Sequence, residues 1–210
     1  MITLYAEPLW DSPWVFSVFV ALMEKELPFE ARTLDLAAGE QRAPEYRAAS
    51  LTARVPCIDH DGFLLSESAA IVEYLEETFP APEHPRLLPD SIHDRARARQ
   101  IMGWLRSDLG PLREERPTSS VFFAPLSAPL SANALAARDK LVSICERLVT
   151  EGAGHIFGYV TIPDFELTLA LQRLIANGDP IPERLTRYAQ EIWQRPSVQA
   201  FVNHDRPSGH

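Results

Sequence analysis

The sequence predicts a small α/β domain over residues 1–80, followed by a linker and an all-helical domain. Hydrophobic residues in the first 80 positions alternate between the period of two that is typical of strands and the period near 3.6 that is typical of helices. Four prolines within ten residues then interrupt regular structure, at positions 80, 82, 85 and 89. Beyond them only the helical period continues, which indicates a second domain of a different class.

In the first domain the predicted order of elements is β-α-β-α-β-β-α. The predicted segments are a strand at 2–6, a helix from Ser12, a strand at 29–36, a weaker helix at 42–49, strands at 57–60 and 63–65, and a helix through 71–79. Asp61-Gly62, between the last two strands, is a strong signal for a tight hairpin turn. This order can form one mixed sheet that is covered by helices.

In the second domain the apolar spacing predicts a helical bundle. One long helix is expected through Ile101 and Leu112, a second from Ser131 through Leu148, and two more over residues 165–175 and 183–193. The predicted domain limits are 1–80 for the first domain, 81–90 for the linker, 91–205 for the helical domain and 206–210 for a flexible tail.

Composition and charge exclude several classes of protein. The chain is 46% hydrophobic and 23% charged, which is typical of a folded globular protein. Its net charge of −9 argues against a nucleic-acid or membrane binder, because phosphate contact needs clustered cations. Two cysteines make a disulfide framework implausible, and no run of residues is apolar enough to cross a bilayer. The first residues lack a basic segment and a cleavage site, so a cytoplasmic location is the default expectation.

The stretch Trp10-Asp11-Ser12-Pro13-Trp14 opens the first helix and allows two interpretations. Serine at the N-cap and proline at the next position are a favourable helix start for local reasons alone. Alternatively, an exposed hydroxyl and free N–H groups at the positive end of a helix form an anion site. A thiol bound at such a site would ionise more easily.

Two further stretches are candidates for ligand contact. Val55-Pro56 enters the third strand, where a proline is compatible with an ordinary strand start and a trans peptide. Glu67 and Ser68 begin the third helix, but the residues three positions after the local serines are Ala69 and Ile71, so no capping box is formed. A ligand-binding role for Glu67 therefore gains weight.

Taken together, these features resemble the glutathione S-transferase family. The resemblance rests on the β-α-β-α-β-β-α order, on Val55-Pro56 before the third strand, on Glu67-Ser68 at the third helix, and on the capping element Thr161-Ile162-Pro163-Asp164 in the helical half. The segments SPWV, RARARQI, WLRSDL, REERPT and WQRPSVQ are similar to those of the bacterial YfcF-type members. The resemblance covers essentially the whole chain.

The resemblance implies a thioredoxin-like first domain that binds glutathione. Pro56 would be cis and would turn the backbone N–H and C=O of Val55 toward the cysteinyl part of the tripeptide. Glu67 and Ser68 would hold the γ-glutamyl end. Ser12 would be the catalytic residue: its hydroxyl would donate a hydrogen bond to the sulfur, and it would stabilise the thiolate rather than act as a base.

The resemblance also implies the reaction and the partners. Glutathione would be a cosubstrate whose thiolate attacks a small hydrophobic electrophile, with no metal involved. The helical domain would form the electrophile pocket with Trp104, Arg113 and Arg116. A homodimer is expected, with neither nucleic acid nor membrane as a partner.

Several alternatives stay open. Tyr5 could contact the sulfur in place of Ser12, and Cys57 could be reactive rather than a buried strand residue. A glutathione-dependent peroxidase or reductase would share every binding residue. A non-catalytic binding protein could keep the same fold.

Overall fold

The computed structural model describes residues 1–150 and 154–207. They fall into two compact units, one formed by residues 1–87 together with the chain from 199 onward, the other by residues 88–198. The predicted limits of 1–80, 81–90 and 91–205 differ from this division, because the structure groups residues 81–87 and 199–205 with the first unit. The predicted tail begins at Arg206, which is hydrogen-bonded, and residues 208–210 lie outside the described residues.

The first unit has the predicted α/β order. Its elements are β1 (Ile2–Ala6), α1 (Pro13–Glu24), β2 (Phe29–Thr33), a 3₁₀ turn (Glu40–Arg42), α2 (Pro44–Ala49), β3 (Cys57–His60), β4 (Phe63–Ser66) and α3 (Ser68–Thr78). The predicted second strand is shorter than expected and ends at Thr33. Asp61 and Gly62 both have positive φ, as the predicted hairpin turn between β3 and β4 requires.

The four strands form one mixed sheet in the order β2-β1-β3-β4. β1 is parallel to β2 and antiparallel to β3, which is antiparallel to β4. Tyr5 pairs with Cys57, and Cys57 pairs with Ser66. The end of β1, the start of β3 and the end of β4 therefore lie at the same edge of the sheet.

Helix α1 begins at the predicted N-cap and lies almost entirely in the interior. Val15, Phe16, Val18 and Leu22 are fully buried, whereas Met23, near the end of the helix, is 37% exposed. α1 packs against α3. From the end of the chain, Phe201 packs edge-on against Phe16 with ring centroids 5.2 Å apart, which explains why these last residues group with the first unit.

A buried ion pair joins the ends of α1 and α3. Lys25, which follows α1 and is fully buried, places its Nζ 2.9 Å from the Glu76 carboxylate on α3. The same ammonium donates to the carbonyls of Phe79 and Pro85, and Glu76 accepts the backbone N–H of Leu87. The proline-rich segment after α3 is therefore fixed to the first unit.

The regular structure described in the second unit is helical, as predicted. The helices are α4 (Ile92–Ser107), α5 (Gly110–Glu115), α6 (Ser119–Phe122), α7 (Ala132–Leu148), α8 (Ile162–Ile175), α9 (Glu183–Trp193) and α10 (Pro196–Val202), within which the division between the units falls. The fold class predicted from the sequence is thus confirmed.

The single long helix predicted through Ile101 and Leu112 is wrong. The chain breaks between α4 and α5, where Leu109 adopts a left-handed conformation with φ of 59°. Pro111 explains the break, because a proline has no N–H to continue the ladder and its ring clashes with the preceding turn. The side chain of Asp108 accepts the N–H of Leu109 at 2.9 Å and so satisfies a group that the break exposes.

Asp164 organises the start of α8 as the capping motif predicts. Its carboxylate is fully buried and accepts hydrogen bonds from both the N–H and the hydroxyl of Thr161. The other oxygen accepts from the N–H of Ile156 and the hydroxyl of Tyr188. One side chain therefore joins the preceding loop, α8 and α9, and its negative charge is compatible with the positive end of α8.

None of the helices in the described ranges combines the length and the hydropathy that a bilayer span requires.

Replacing Lys25 with Met is expected to lower the free energy of unfolding by about 3–5 kcal/mol, because Glu76 would stay buried without its cation. Urea unfolding curves measure this loss. Arg187→Met removes the cation of an exposed helix pair with Glu183 and should cost less than about 0.5 kcal/mol. Equal losses in the two variants would contradict a structural role for the buried pair.

Candidate functional site

Ser12 lies where the sequence predicts it, at the N-cap of α1. Its Oγ accepts from the backbone N–H groups of Trp14 and Val15, both at 3.3 Å. These distances are long for N–H···O bonds, so the oxygen is shared between two weak interactions. No hydrogen bond within the described residues uses the hydroxyl proton of Ser12, which leaves it to a ligand at the positive helix end.

Glu7 holds the loop that carries Ser12, although no sequence motif marks it as a site residue. One carboxylate oxygen of Glu7 accepts the backbone N–H groups of Asp11 at 2.7 Å and of Ser12 at 2.8 Å. The other oxygen is buried and has no hydrogen-bond partner within the described chain. The sequence does contain one signal for Glu7, an acidic residue directly after the buried strand β1. A carboxylate is costly to bury unless it is hydrogen-bonded, so an acidic residue at such a position indicates a specific role.

Burial raises the pKa of the Glu7 carboxyl, which is 5% exposed. The hydrogen bonds from the backbone of Ser12 and Asp11 act in the opposite direction, and the neighbouring charge of Asp11 adds to the increase. The net pKa is above the ordinary value because desolvation outweighs the hydrogen bonds.

Val55 and Pro56 precede β3 at the sheet edge that also receives the end of β1. The Val55–Pro56 peptide is cis, as the resemblance implies. Val55 is half-buried, and its N–H and C=O make no hydrogen bond to any part of the chain that the structure describes. These two backbone groups are therefore free for a ligand that presents a peptide backbone of its own.

Glu67 and Ser68 follow β4 at the same edge. Glu67 is the N-cap of α3 and has a φ of 74°, which a residue with a side chain adopts only where the surroundings impose it. Its carboxylate is exposed and makes no hydrogen bond or ion pair within ranges 1–150 and 154–207. Ser68 is buried at the first position of α3. A free anion and a helix N-terminus therefore stand side by side, and together they suit an amino-acid zwitterion.

Tyr5 and Cys57 are the alternative candidates for the sulfur contact and for a reactive thiol. The ring of Tyr5 packs edge-on against Tyr46 with centroids 5.5 Å apart, on the face of β1 opposite to Leu4 and Ala6. Cys57 is fully buried, and burial raises the pKa of its thiol to about 11, so it stays protonated at neutral pH. The structure favours the interpretation of Cys57 as a buried strand residue.

The three residues predicted for the electrophile pocket have different surroundings. Trp104 lines a cleft of about 400 Å³ within the helical unit, together with Ile101, Ile144 and Leu148. Arg113 donates to the carbonyls of Leu105 and Asp108 at the end of α4.

Arg116 is 3% exposed and forms a bidentate ion pair with Asp179. The pocket role of Arg113 and Arg116 stays a prediction, and their hydrogen bonds favour a structural role for both. Among the described residues no group of three His, Cys, Asp or Glu side chains is placed to hold a metal ion.

Comparison with known proteins identifies the family. Residues 11–78 match the profile of the glutathione S-transferase N-terminal domain, and residues 91–206 match that of the C-terminal domain. A glutathione transferase homologue from Burkholderia, solved with bound glutathione, is 42% identical over 96% of both chains, with a TM-score of 0.80. The chain belongs to the glutathione S-transferase family.

Other relatives of this glutathione S-transferase chain match over different lengths. Probable maleylacetoacetate isomerase 2 from Drosophila melanogaster is 39% identical over 106 residues, which are 50% of this chain and 45% of that protein. Glutathione S-transferase theta-3 from Mus musculus is 26% identical over 89% of this chain and 78% of its own length. The chain spans about half the length of the isomerases that it matches.

The raised pKa of Glu7 predicts how stability depends on pH. A carboxyl whose folded-state pKa is above its unfolded value, about 4.3, contributes stability that is fully present below that pH and is lost as pH rises through the folded-state pKa. Wild type should therefore lose unfolding free energy relative to Glu7→Gln as the pH increases from about 4 to about 8. Urea unfolding at a series of pH values measures the difference.

Asp11 and Arg206 are the charged groups that act on Glu7, and both are unchanged in the Glu7→Gln variant. Glu183→Gln is the matched control, since the side chain of Glu183 is 84% exposed. Parallel pH profiles for wild type and Glu7→Gln would contradict the raised pKa.

Proposed function

We propose that this chain is a glutathione transferase in which the thiolate of bound glutathione attacks a small hydrophobic electrophile. The observation that carries the proposal is the convergence of Ser12, Val55, Glu67 and Ser68 at one edge of the sheet, each with polar groups suited to a different part of one tripeptide. The relative that is 42% identical and was solved with bound glutathione supports the same ligand.

Each part of glutathione has a partner in the proposal. The free N–H and C=O of Val55 pair with the backbone of the cysteinyl residue, next to the cis Pro56. Glu67 binds the ammonium of the γ-glutamyl end, and Ser68 with the first turn of α3 binds its carboxylate. These contacts fix the tripeptide so that its sulfur reaches the N-terminus of α1.

Ser12 stabilises the thiolate in this proposal. A serine hydroxyl is a poor base, but its proton is a good hydrogen-bond donor to an anion at a helix N-terminus. Lowering a thiol pKa from about 8.5 to about 6.5 requires roughly 2.7 kcal/mol of preferential stabilisation of the thiolate. One charge-assisted hydrogen bond contributes about 1.5–3 kcal/mol, so this bond together with the helix N-terminus can supply the required stabilisation of the thiolate.

A glutathione-dependent isomerase is the second candidate. Two relatives named as maleylacetoacetate isomerases are 39% and 38% identical over 106 residues. In that case the thiolate would add to a conjugated double bond, the adduct would rotate, and glutathione would leave again. A transferase consumes glutathione and forms a stable conjugate, whereas an isomerase returns it, so the glutathione balance separates the two. Formation of oxidised glutathione would indicate the peroxidase alternative.

We further propose a homodimer with an electrophile site that includes Trp104. The dimer is proposed from membership of the glutathione S-transferase family. Arg97 and Arg147 flank the cleft that Trp104 lines, and neither forms an ion pair within the described residues. A particle mass of twice the chain mass of 23.6 kDa, measured by sedimentation equilibrium, would support the dimer.

Ser12→Ala is expected to raise the pKa of the bound glutathione thiol by about one unit or more, because the thiolate loses its hydrogen bond. Ultraviolet difference absorbance of the thiolate during a pH titration measures this shift. At a pH below the thiol pKa of both proteins, kcat should fall about tenfold for each unit of this rise, while the KM for glutathione changes little.

The matched control is Ser91→Ala, which also removes an N-cap serine, from α4. Both variants should lose about 1 kcal/mol of stability, but Ser91→Ala should leave the thiol pKa unchanged. If Tyr5→Phe abolished the thiolate signal while Ser12→Ala kept it, the catalytic assignment would be wrong.

A further inference from the structure

The loop between β1 and α1, residues 7–12, carries Ser12 and has no regular secondary structure. Residues 8–11 lie outside both β1 and α1, yet the hydroxyl of Ser12 must be placed accurately to reach a sulfur. A displacement of about 1 Å in a reacting group can reduce a rate by about 10²-fold. The side chains that hold this loop therefore affect how well the Ser12 hydroxyl can stabilise a thiolate.

Trp10 is the most constrained residue of the loop. It has a φ of 49°, a left-handed conformation that is unfavourable for a residue with a side chain, and it is only 3% exposed. Its indole stacks on the ring of His204 with centroids 3.8 Å apart, and it meets Phe19 and Phe201 edge-on. Such a conformation persists only where the surroundings impose it.

Arg206 holds the carbonyl of Trp10 from the other end of the sequence. Its Nη2 donates to the Trp10 carbonyl at 2.9 Å and to the carbonyl of Phe201 at 2.9 Å. Its Nη1 donates to the carbonyls of Val202 and His204. The guanidinium therefore joins the loop to the segment that ends the described chain, across 196 positions of sequence.

Glu7 holds the next two residues of the same loop. Its side chain accepts the N–H groups of Asp11 and Ser12, and its backbone carbonyl accepts the N–H of Trp10 at 3.3 Å. The N–H groups of three consecutive residues and the carbonyl of the first are thus engaged by Glu7 and Arg206. Because Glu7 is buried, these bonds are shielded from competing water.

We propose that Glu7 and Arg206 are positioning residues of the sulfur site: together they fix the backbone of residues 10–12 and thereby place the Ser12 hydroxyl. The inference rests on the proposed function, since it gives Ser12 a role in stabilising the thiolate. The hydrogen bonds within the N-cap are already long at 3.3 Å, so a small shift of the loop breaks them.

The proposal separates binding from activation of glutathione. Val55, Glu67 and Ser68 hold the tripeptide from other segments of the chain, so loosening the Ser12 loop should leave the affinity for glutathione nearly intact. The same loosening removes the aligned hydroxyl from the sulfur. Loss of positioning therefore changes the thiol pKa and kcat. A variant that only folds less well has fewer folded molecules, but those molecules keep the wild-type thiol pKa and kcat.

The experiment measures the pKa of the bound thiol, kcat and the KM for glutathione in four variants of the full chain. Arg206→Met keeps an apolar stem but removes the donor to Trp10, and Glu7→Leu removes the acceptor for residues 11 and 12. Glu7→Gln keeps an oxygen that accepts both N–H groups. Arg184→Met is the matched control, because Arg184 donates to the carbonyls of Val149 and Glu146 in the helical unit.

Arg206→Met and Glu7→Leu should each raise the pKa of the bound thiol by about one unit. At a fixed pH below the thiol pKa of both wild type and variant, this is a tenfold loss of thiolate. The KM for glutathione should change less than about threefold. Glu7→Gln and Arg184→Met should retain the wild-type thiol pKa. If Arg206→Met does not fold, Arg206→Lys keeps one donor for Trp10, and an intermediate pKa is expected.

The outcomes distinguish the two proposals. If wild type lowers the thiol pKa and Ser12→Ala abolishes that effect, but Arg206→Met and Glu7→Leu behave like wild type, the positioning role is overturned and the proposed function stands. A wild-type protein that leaves the thiol pKa at the value of free glutathione overturns the proposed function, and the positioning role with it.

Discussion

The register of the sheet is the constraint on which the site depends. Tyr5, Cys57 and Ser66 form one row across β1, β3 and β4, and the three segments that carry the candidate ligand groups leave the sheet from that row. A slip of one residue would move each strand by about 3.3 Å and turn its side chains to the opposite face. Leu4 and Ile58, which pair and are fully buried, would then face the wrong side, so burial of the core fixes the site geometry.

The acidic first domain and an anionic ligand are compatible once distances are considered. Residues 1–80 carry a balance of −9, but exposed charges are screened beyond about 8 Å at physiological ionic strength. The positive N-terminal ends of α1 and α3 lie at the proposed site, where their partial charges act over distances shorter than the screening length. In the proposed complex the free carboxylate of Glu67 pairs with the ammonium of the γ-glutamyl end. Local groups therefore decide the binding, and the net charge of the domain does not.

Local sequence signals predicted the order of the elements and the helix start at Ser12, and they failed where an interaction is long-range. Ser12 could be identified because serine before proline is a helix start in any context, and Asp61-Gly62 because the turn type requires positive φ. Pro111 is a local signal for the break at Leu109, but it competes with the apolar spacing that continues through Leu112. The position of Glu7 directly after a buried strand is a local signal, but its role depends on N–H groups that a folded loop turns back toward it. Arg206 bonds to a carbonyl 196 residues away, and no short motif encodes that contact.

The loop that carries Ser12 illustrates how a functional position is maintained against local preferences. A buried carboxylate at Glu7 and a left-handed tryptophan at position 10 each cost stability, of order 1–3 kcal/mol for the backbone conformation alone. A sequence optimised only for stability would replace both. Both features are explained if the loop has to present the Ser12 hydroxyl with its proton free. A helix or a strand at this place would instead orient the backbone by its own regular geometry. The aromatic packing of Trp10 and the hydrogen bonds of Glu7 and Arg206 supply the rigidity that regular structure would otherwise provide.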